Sequence, residues 1–367
     1  MGEQTKINPD DVLIKLATGI SLLDMPVRGI PRILDLGLRE LQALYICNLG
    51  KTLPPSRFDI FELFEHPLNK WWPSELSTSE GQESLMFLGQ PTPFCMDWAL
   101  ERGNLSTQLS EIDESVMGKF VELCRTSPVS FQPIYIATRR FLIENPVISQ
   151  REIAHQISLN QIHGSVQGAY EEVPSDCIHD GFLFLCDHCK DVLLWQDNQA
   201  FCRSWSVCEK QGHYTLDHRI KASPDLRRVK RGLMAYVVMP GLPELELFAN
   251  IHDMGIQAAL WPGIDLYDLM VTLPDKAKWG IDVKATRSAR ALGEREAEKG
   301  FIPHRELLEV KWDRAFYVIP DIYYDQTFHG QFCSGARIKP RELAKRRIEL
   351  VSMKMFLRIL KGEITDA

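Results

Sequence analysis

Two acids and a lysine within residues 260–289 (LWPGIDLYDLMVTLPDKAKWGIDVKATRSA) have the types and spacing for chemistry on a phosphodiester. Asp268 heads one apolar run, YDLMVTL, and Asp282 and Lys284 lie inside the next, WGIDVKA. Both runs read as strands, joined by a Pro-Asp-Lys turn at Pro274 to Lys276. Residues two apart in a strand face the same way, so Asp282 and Lys284 share one face while Ile281 and Val283 take the other. Pairing of the two strands sets Asp268 beside Asp282. Carboxylates so placed suit Mg²⁺ or Mn²⁺, which lowers the pKa of a bound water and neutralises charge developing on the phosphate. The ammonium would align or deprotonate the attacking water. Asp265, three residues ahead of Asp268, is the alternative first metal carboxylate.

Other elements must hold these strands. PELELFANIHDMG reads as a helix entering the region and IQAALW as a first strand. After the hairpin come a helix, SARALGEREAEKG, and a strand, AFYVIPD. A lone Asp-x-Lys is common; this order of elements around one is much rarer. Over roughly residues 240–322 it resembles the PD-(D/E)xK superfamily of restriction-endonuclease-like nucleases. The resemblance implies a mixed sheet flanked by helices and a metal-dependent endonuclease, with Asp268 and Asp282 as Mg²⁺ ligands and Lys284 as the catalytic lysine. It also implies a further acid on the entering helix. Glu244 fits best, because Phe248 and Ile251 share its face, and Glu246 is the reserve.

A second, narrower resemblance runs along more of the chain. A Tyr-x-x-x-Pro approach, a Cys-x-x-Cys, Arg-Gly-Leu followed by PGLPE-L, LWPG-x-D-x-YDL and W-x-IDVK are similar to the restriction-endonuclease-like protein encoded beside a prokaryotic PIWI-like protein in pPIWI-RE three-gene defence islands. That likeness implies a role in defence against invading nucleic acid, with a PIWI-like protein and a helicase as neighbours.

Four of the nine cysteines are bunched, Cys186-x₂-Cys189 and Cys202-x₅-Cys208. In a reducing compartment such bunching points to thiolates on zinc rather than to disulfides. The last gap is longer than a regular ribbon's, and His188 and His213 are candidate substitutes.

The chain has 367 residues, net charge −7, 45% hydrophobic and 25% charged residues, ordinary values for a folded multidomain protein. No basic apolar leader and no membrane-length apolar run is evident, so a soluble cytoplasmic protein without a membrane partner is expected. The charge is uneven. Arg219, Lys221, Arg227, Arg228, Lys230 and Arg231 form a candidate nucleic-acid-binding segment, and nine basic residues fall between Arg337 and Lys361. DNA is the expected nucleic acid, gripped through its phosphates.

The resulting organisation is α plus α/β: a helical region over residues 1–125, a helix-turn-helix-like segment over 126–175, a zinc-ribbon-like module over 176–216, and the nuclease domain over 217–367. The middle segment pairs IYIATRRFLIENP with a helix capped by Ser149 and Glu152, whose Ile153, Ala154 and Ile157 supply a buried face. LAKRRIELVSMKMFLRIL reads as a C-terminal basic helix able to pack at a homodimer interface. The rival to an endonuclease is a nuclease-fold scaffold that docks a partner. The presence of both acids and the lysine tells against it, because desolvated charges cost free energy.

Overall fold

The predicted hairpin strands are buried on both faces over most of their length, which shows how they are held. The computed structural model describes residues 7–23, 31–54, 56–76, 78–87, 90–92, 94–95, 98–99, 117–196, 199–202, 208, 216–286, 289–302 and 312–365. The chain divides into two compact units, residues 1–108 and 109–367.

In the first unit, α1 (Pro9–Ser21) packs on α2 (Arg32–Leu49), and α3 (Arg57–Glu65) follows. The Asn8 side chain accepts from the Asp10 N–H at 3.2 Å to start α1, and Gly50, at φ 62°, ends α2. Trp71 and Trp72 are buried, and the Tyr45 hydroxyl donates to the Trp71 carbonyl, so the tryptophan pair is core. The Ser-rich stretch after them contains a short helix, Thr78–Gly81; Ser77 lies outside the described residues.

The second unit opens with α4 (Met117–Thr126) and α5 (Pro128–Glu144), then β1 (Val147–Ser149) and α6 (Gln150–Ser158). Ser149 caps α6 by accepting from the Glu152 N–H at 3.1 Å. Ile153 is buried and Ile157 partly so, but Ala154 is exposed. The two helices are separated by a strand. β1 pairs with β8 (Leu226–Val229), which also pairs with β2 (Tyr170–Glu172), both antiparallel. Between β2 and β8 lie a three-stranded sheet of β3 (Ile178–His179), β4 (Phe182–Phe184) and β7 (Arg219–Lys221), and a hairpin of β5 (Leu194–Gln196) and β6 (Gln199–Phe201).

The C-terminal part is a mixed sheet with helices on both sides. The entering helix α7 (Met239–Asp253) begins earlier than expected, preceded by helical turns from Arg231 that widen into π geometry at Met234–Val238. Pro240 cannot donate to the carbonyl four residues back, which accounts for the widening. Then come β9 (Gln257–Leu260), β10 (Leu269–Thr272), β11 (Lys278–Val283), α8 (Ala289–Lys299), β12 (Arg314–Ile319), α9 (Phe328–Gly335), α10 (Pro340–Lys345), β13 (Ile348–Ser352) and α11 (Met353–Thr365). Strand order is β9-β10-β11-β12-β13; the first two pairings are antiparallel and the last two parallel.

Leu269, Val271, Trp279, Ile281, Val283, Phe316 and Val318 join one apolar core with Leu247 and Ile251 of α7 and with Phe356 and Leu360 of α11. Met270, Ala315, Tyr317 and Leu350 join another with Leu292 of α8 and Phe332 of α9. LAKRRIELVSMKMFLRIL is therefore not one helix. Arg347, at φ 61°, breaks it, and Ile348, Leu350 and Val351 are buried as a strand beside β12. Among the described residues no helix is long and apolar enough to cross a membrane.

α8 and α9 cross backbone on backbone. A Cβ on Gly335 would stand 2.0 Å from the Arg290 carbonyl oxygen, and one on Gly293 would stand 2.1 Å from that of Phe332. Gly335→Ala should therefore push the helices apart and destabilise the second unit by about 2–3 kcal/mol, measurable as a lower denaturant midpoint at unchanged slope. An unchanged midpoint would show that the crossing is loose.

Candidate functional site

The hairpin register places the predicted acids and lysine together. Leu269 pairs with Ile281, so Asp268 enters β10 where Asp282 and Lys284 leave β11. The Asp268 N–H donates to the Ile281 carbonyl at 3.0 Å, and its carboxylate accepts the Val283 N–H at 2.6 Å. Lys284 Nζ lies 2.6 Å from Asp282 Oδ1, both half-buried. Asp282 is the register partner of Tyr317 on β12, whose hydroxyl donates at 2.7 Å to buried Glu296 of α8. Glu296 also acts electrostatically on Lys284, favouring its charged form.

Glu244 is buried on α7, whereas Glu246 is exposed. Both Glu244 oxygens accept from Arg139 Nη2 on α5, at 3.1 and 3.0 Å, and one also accepts from the Trp261 indole. Gly241 permits this approach of α7 to α5, since a Cβ there would meet Ile143 at 2.3 Å. Asp265 is not beside the hairpin acids in the same way, because its carboxylate is paired with Arg139.

The charges are crowded. Burial, then Glu244 and Asp282, push the Asp268 carboxyl well above the carboxylate range. Burial pushes Glu244 up to about 7, against the pull of Arg139 and the Trp261 indole. Burial alone would lower Lys284, but Asp282, Glu296 and Asp268 hold it above its ordinary value as an ammonium. Asp265, Glu244, Asp268, Asp282 and Glu296 thus face Arg139, Lys284 and Arg295, two more acids than bases.

A divalent cation would balance that excess. Mg²⁺ typically takes one or two protein carboxylates and fills its octahedron with water and phosphate oxygens, so Asp268 and Asp282 fit it as a pair. The acids do not converge as a three-ligand cage; among the described residues only the cysteines do. Arg139, Glu296, Tyr317 and Trp261 are parts of this site that sequence reasoning missed. Trp261, at φ 44° in the Trp-Pro-Gly turn, was the one with a local signal.

The Sγ atoms of Cys186, Cys189, Cys202 and Cys208 all lie within 4.8 Å of one another and are buried. Cys189 and Cys202 are 3.3 Å apart, and Cys202 and Cys208 3.7 Å. Tetrahedral zinc with bonds of about 2.3 Å sets sulfurs about 3.8 Å apart, so the set fits zinc. Lys190, at φ 60°, closes the Cys186-x₂-Cys189 turn, its N–H donating to the Cys186 carbonyl at 2.9 Å. Hydrogen bonds among the four thiols hold Cys186 well below the usual thiol range and push Cys189 and Cys202 well above it. His188 Nδ1 stands 3.5 Å from Cys208 Sγ, alongside the four sulfurs and not in place of one. His213 lies outside the described residues.

The basic segment is split. Arg219 and Lys221 are exposed on β7, Arg219 over the Phe182 ring at 4.8 Å. Arg228 donates to Glu171 at 2.8 Å, and Arg227 to Gln150 at 2.7 Å with Glu172 at 3.8 Å, pairings across β8 and its neighbours. Lys230 is half-buried, and burial pushes Arg231 down to about 10.

Two family models match the chain. Residues 241–366 match the family described as "REase associating with pPIWI_RE", and residues 38–149 match "pPIWI_RE three-gene island domain Y". No curated protein and no solved structure matches. With one match covering the sheet that bears Asp268, Asp282 and Lys284 and the other covering α5 with Arg139, the chain is a pPIWI-RE island protein with a restriction-endonuclease-like C-terminal region.

Proposed function

We propose that this protein is a metal-dependent endonuclease that hydrolyses phosphodiesters, with DNA as its substrate, in the defence role of the pPIWI-RE island. One observation carries the reading: Asp268, Asp282 and Lys284 meet where β10 begins and β11 ends, within a surplus of buried negative charge. Asp268 and Asp282 would hold Mg²⁺ or Mn²⁺, which when bound supplies a water of lowered pKa and positive charge for the phosphate. Lys284 would point the attacking water and bear charge developing on the phosphoryl oxygens. Asp282 holds the lysine by an ion pair, and the charge of Glu296, bonded by Tyr317, favours its ammonium form.

The exposed Arg219 and Lys221 suit phosphate contacts, which give affinity without sequence choice. Arg227 and Arg228 serve first to hold the β1-β8-β2 sheet. Choice of sequence would fall to α6, if it enters a groove, or to the island's PIWI-like protein and helicase as partners. A homodimer would let two such sites cut both strands.

The scaffold reading has one observation behind it, that among the described residues no three carboxylates gather as a metal cage. Lys284→Ala and Asp282→Ala decide between them. Both should lower metal-dependent cleavage by at least about a hundred-fold while retaining nucleic-acid binding within about two-fold. Cleavage that survives Asp282→Ala would remove this site from the account.

A further inference from the structure

The acids of the site fall into two sets that meet different cations. Asp268 and Asp282 adjoin Lys284, whereas Glu244 and Asp265 are both bound by Arg139. Arg139 is 7% exposed, donates from Nη1 to the Tyr135 hydroxyl oxygen at 3.3 Å, and lies over the Trp261 ring at 4.5 Å. A guanidinium keeps its charge at every working pH and presents a planar fork to a carboxylate, which an ammonium does not.

The backbone that presents Asp265 is strained. Trp261, Gly263, Ile264 and Asp265 all have positive φ, at 44°, 65°, 58° and 67°. Three of these are not glycine, and such conformations persist only where the surroundings over-determine them. α4 and α5 supply those surroundings. Gln132 Nε2 donates to the Trp261 carbonyl at 2.8 Å and its oxygen accepts the Ile264 N–H at 3.1 Å, while Arg125 reaches the Ile264 carbonyl at 3.4 Å. The turn is thus held so that Asp265 meets Arg139.

We propose that Arg139 is a built-in second cation of the site, which withholds Glu244 and Asp265 from metal and limits the site to one divalent ion at Asp268 and Asp282. The inference rests on the metal-dependent reading above. Charge agrees with it: Glu296 is met by Arg295, and once all four are ionised, as metal binding requires, Glu244, Asp265, Asp268 and Asp282 face Arg139 and Lys284 among the described residues, a deficit that one divalent ion fills. A second ion would need Glu244 freed, and both of its oxygens are taken. Arg139 lies in the residues matched by the domain Y model, and its acids lie in those matched by the restriction-endonuclease-like model. The site is incomplete without α5.

Mn²⁺ titration of the full, zinc-loaded chain, followed by electron paramagnetic resonance, tests this without any need for cleavage. The wild type should bind one Mn²⁺ that Asp268→Asn abolishes. Arg139→Gln should admit a second ion, or bind the first at least about ten-fold more tightly, since buried Glu244 and partly exposed Asp265 then lose their cation. If that variant is poorly folded alone, Mn²⁺ should raise its melting temperature more than it raises that of the wild type. The double variant Arg139→Gln with Glu244→Gln, which removes both charges, should return to one ion of wild-type affinity. Two ions in the wild type, or an Arg139→Gln chain with one ion of unchanged affinity and no extra thermal gain, would overturn the proposal. A wild type that binds no Mn²⁺ would instead sink the metal-dependent reading beneath it.

Discussion

Asp268→Asn should abolish cleavage, by at least about a thousand-fold, and should make the protein free of Mg²⁺ and Mn²⁺ more stable. The loss follows from removing one of only two carboxylates placed for metal. The gain follows from the crowding. Asp268 is pushed above its ordinary range by burial and by Glu244 and Asp282, so its charged form opposes folding. Asparagine has an oxygen for the Val283 N–H at this position and none of the charge. The sign is that of a carboxyl raised on folding: the folded state holds its proton more tightly, so its contribution is complete in acid and is lost as pH rises through the folded pKa. Glu244, which burial pushes up to about 7, gains its charge through neutrality and adds to the crowding of Asp268 there. At about pH 8, in zinc-loaded protein, the variant should melt roughly 2–8 °C above the wild type, and the gap should narrow toward about pH 5. A variant that melts below the wild type at about pH 8 would mean that Asp268 is held by interactions outweighing the crowding.

Cys189→Ser carries the second large effect. The four cysteines are not an appendage: they belong to the same apolar core as Val229 of β8, Leu247 of α7 and Leu269 of β10. Structural zinc in small domains stabilises by roughly 10–16 kcal/mol, and loss of one thiolate removes much of it while leaving three buried thiols. The variant should lose the single zinc per chain found by metal analysis of the wild type. It should also unfold the whole second unit, seen as collapse of the tryptophan fluorescence transition and not as a local change. Wild-type protein without stoichiometric zinc would refute the metal assignment. A zinc-free variant that melts as the wild type does would show the cluster to be energetically separate.

What could be read from sequence divides along physical lines. The hairpin is legible because two short apolar runs, a Pro-Asp-Lys turn between them and an Asp-x-Lys all lie within a few residues, and the register follows from them. The cysteine spacing was legible for the same reason. Arg139 was not, since it sits 105 residues from Glu244 and 126 from Asp265, and nothing local distinguishes it from Arg140, which pairs with Glu144 on the α5 surface. Glu296 was hidden among the charges of α8 and becomes special only when β12 brings Tyr317 to it. The strand Ile348–Ser352 was read as helix because Ile348 and Val351, three apart, fit either period, and the deciding partner, β12, lies more than thirty residues earlier. The basic segment looked like one patch in the sequence, but the register of β8 with β2 sets Arg227 opposite Glu172 and Arg228 opposite Glu171, on opposite faces of the sheet.

The measurement that tests the central claim most directly is incubation of zinc-loaded wild type and Asp282→Ala with plasmid, linear duplex, single-stranded DNA and RNA, with and without Mg²⁺ or Mn²⁺, alone and with the island's PIWI-like protein. The account predicts cleavage of DNA by the wild type that requires the added metal and vanishes in Asp282→Ala. Cleavage that is equal in both proteins, or no cleavage of any substrate under any of these conditions, would contradict it.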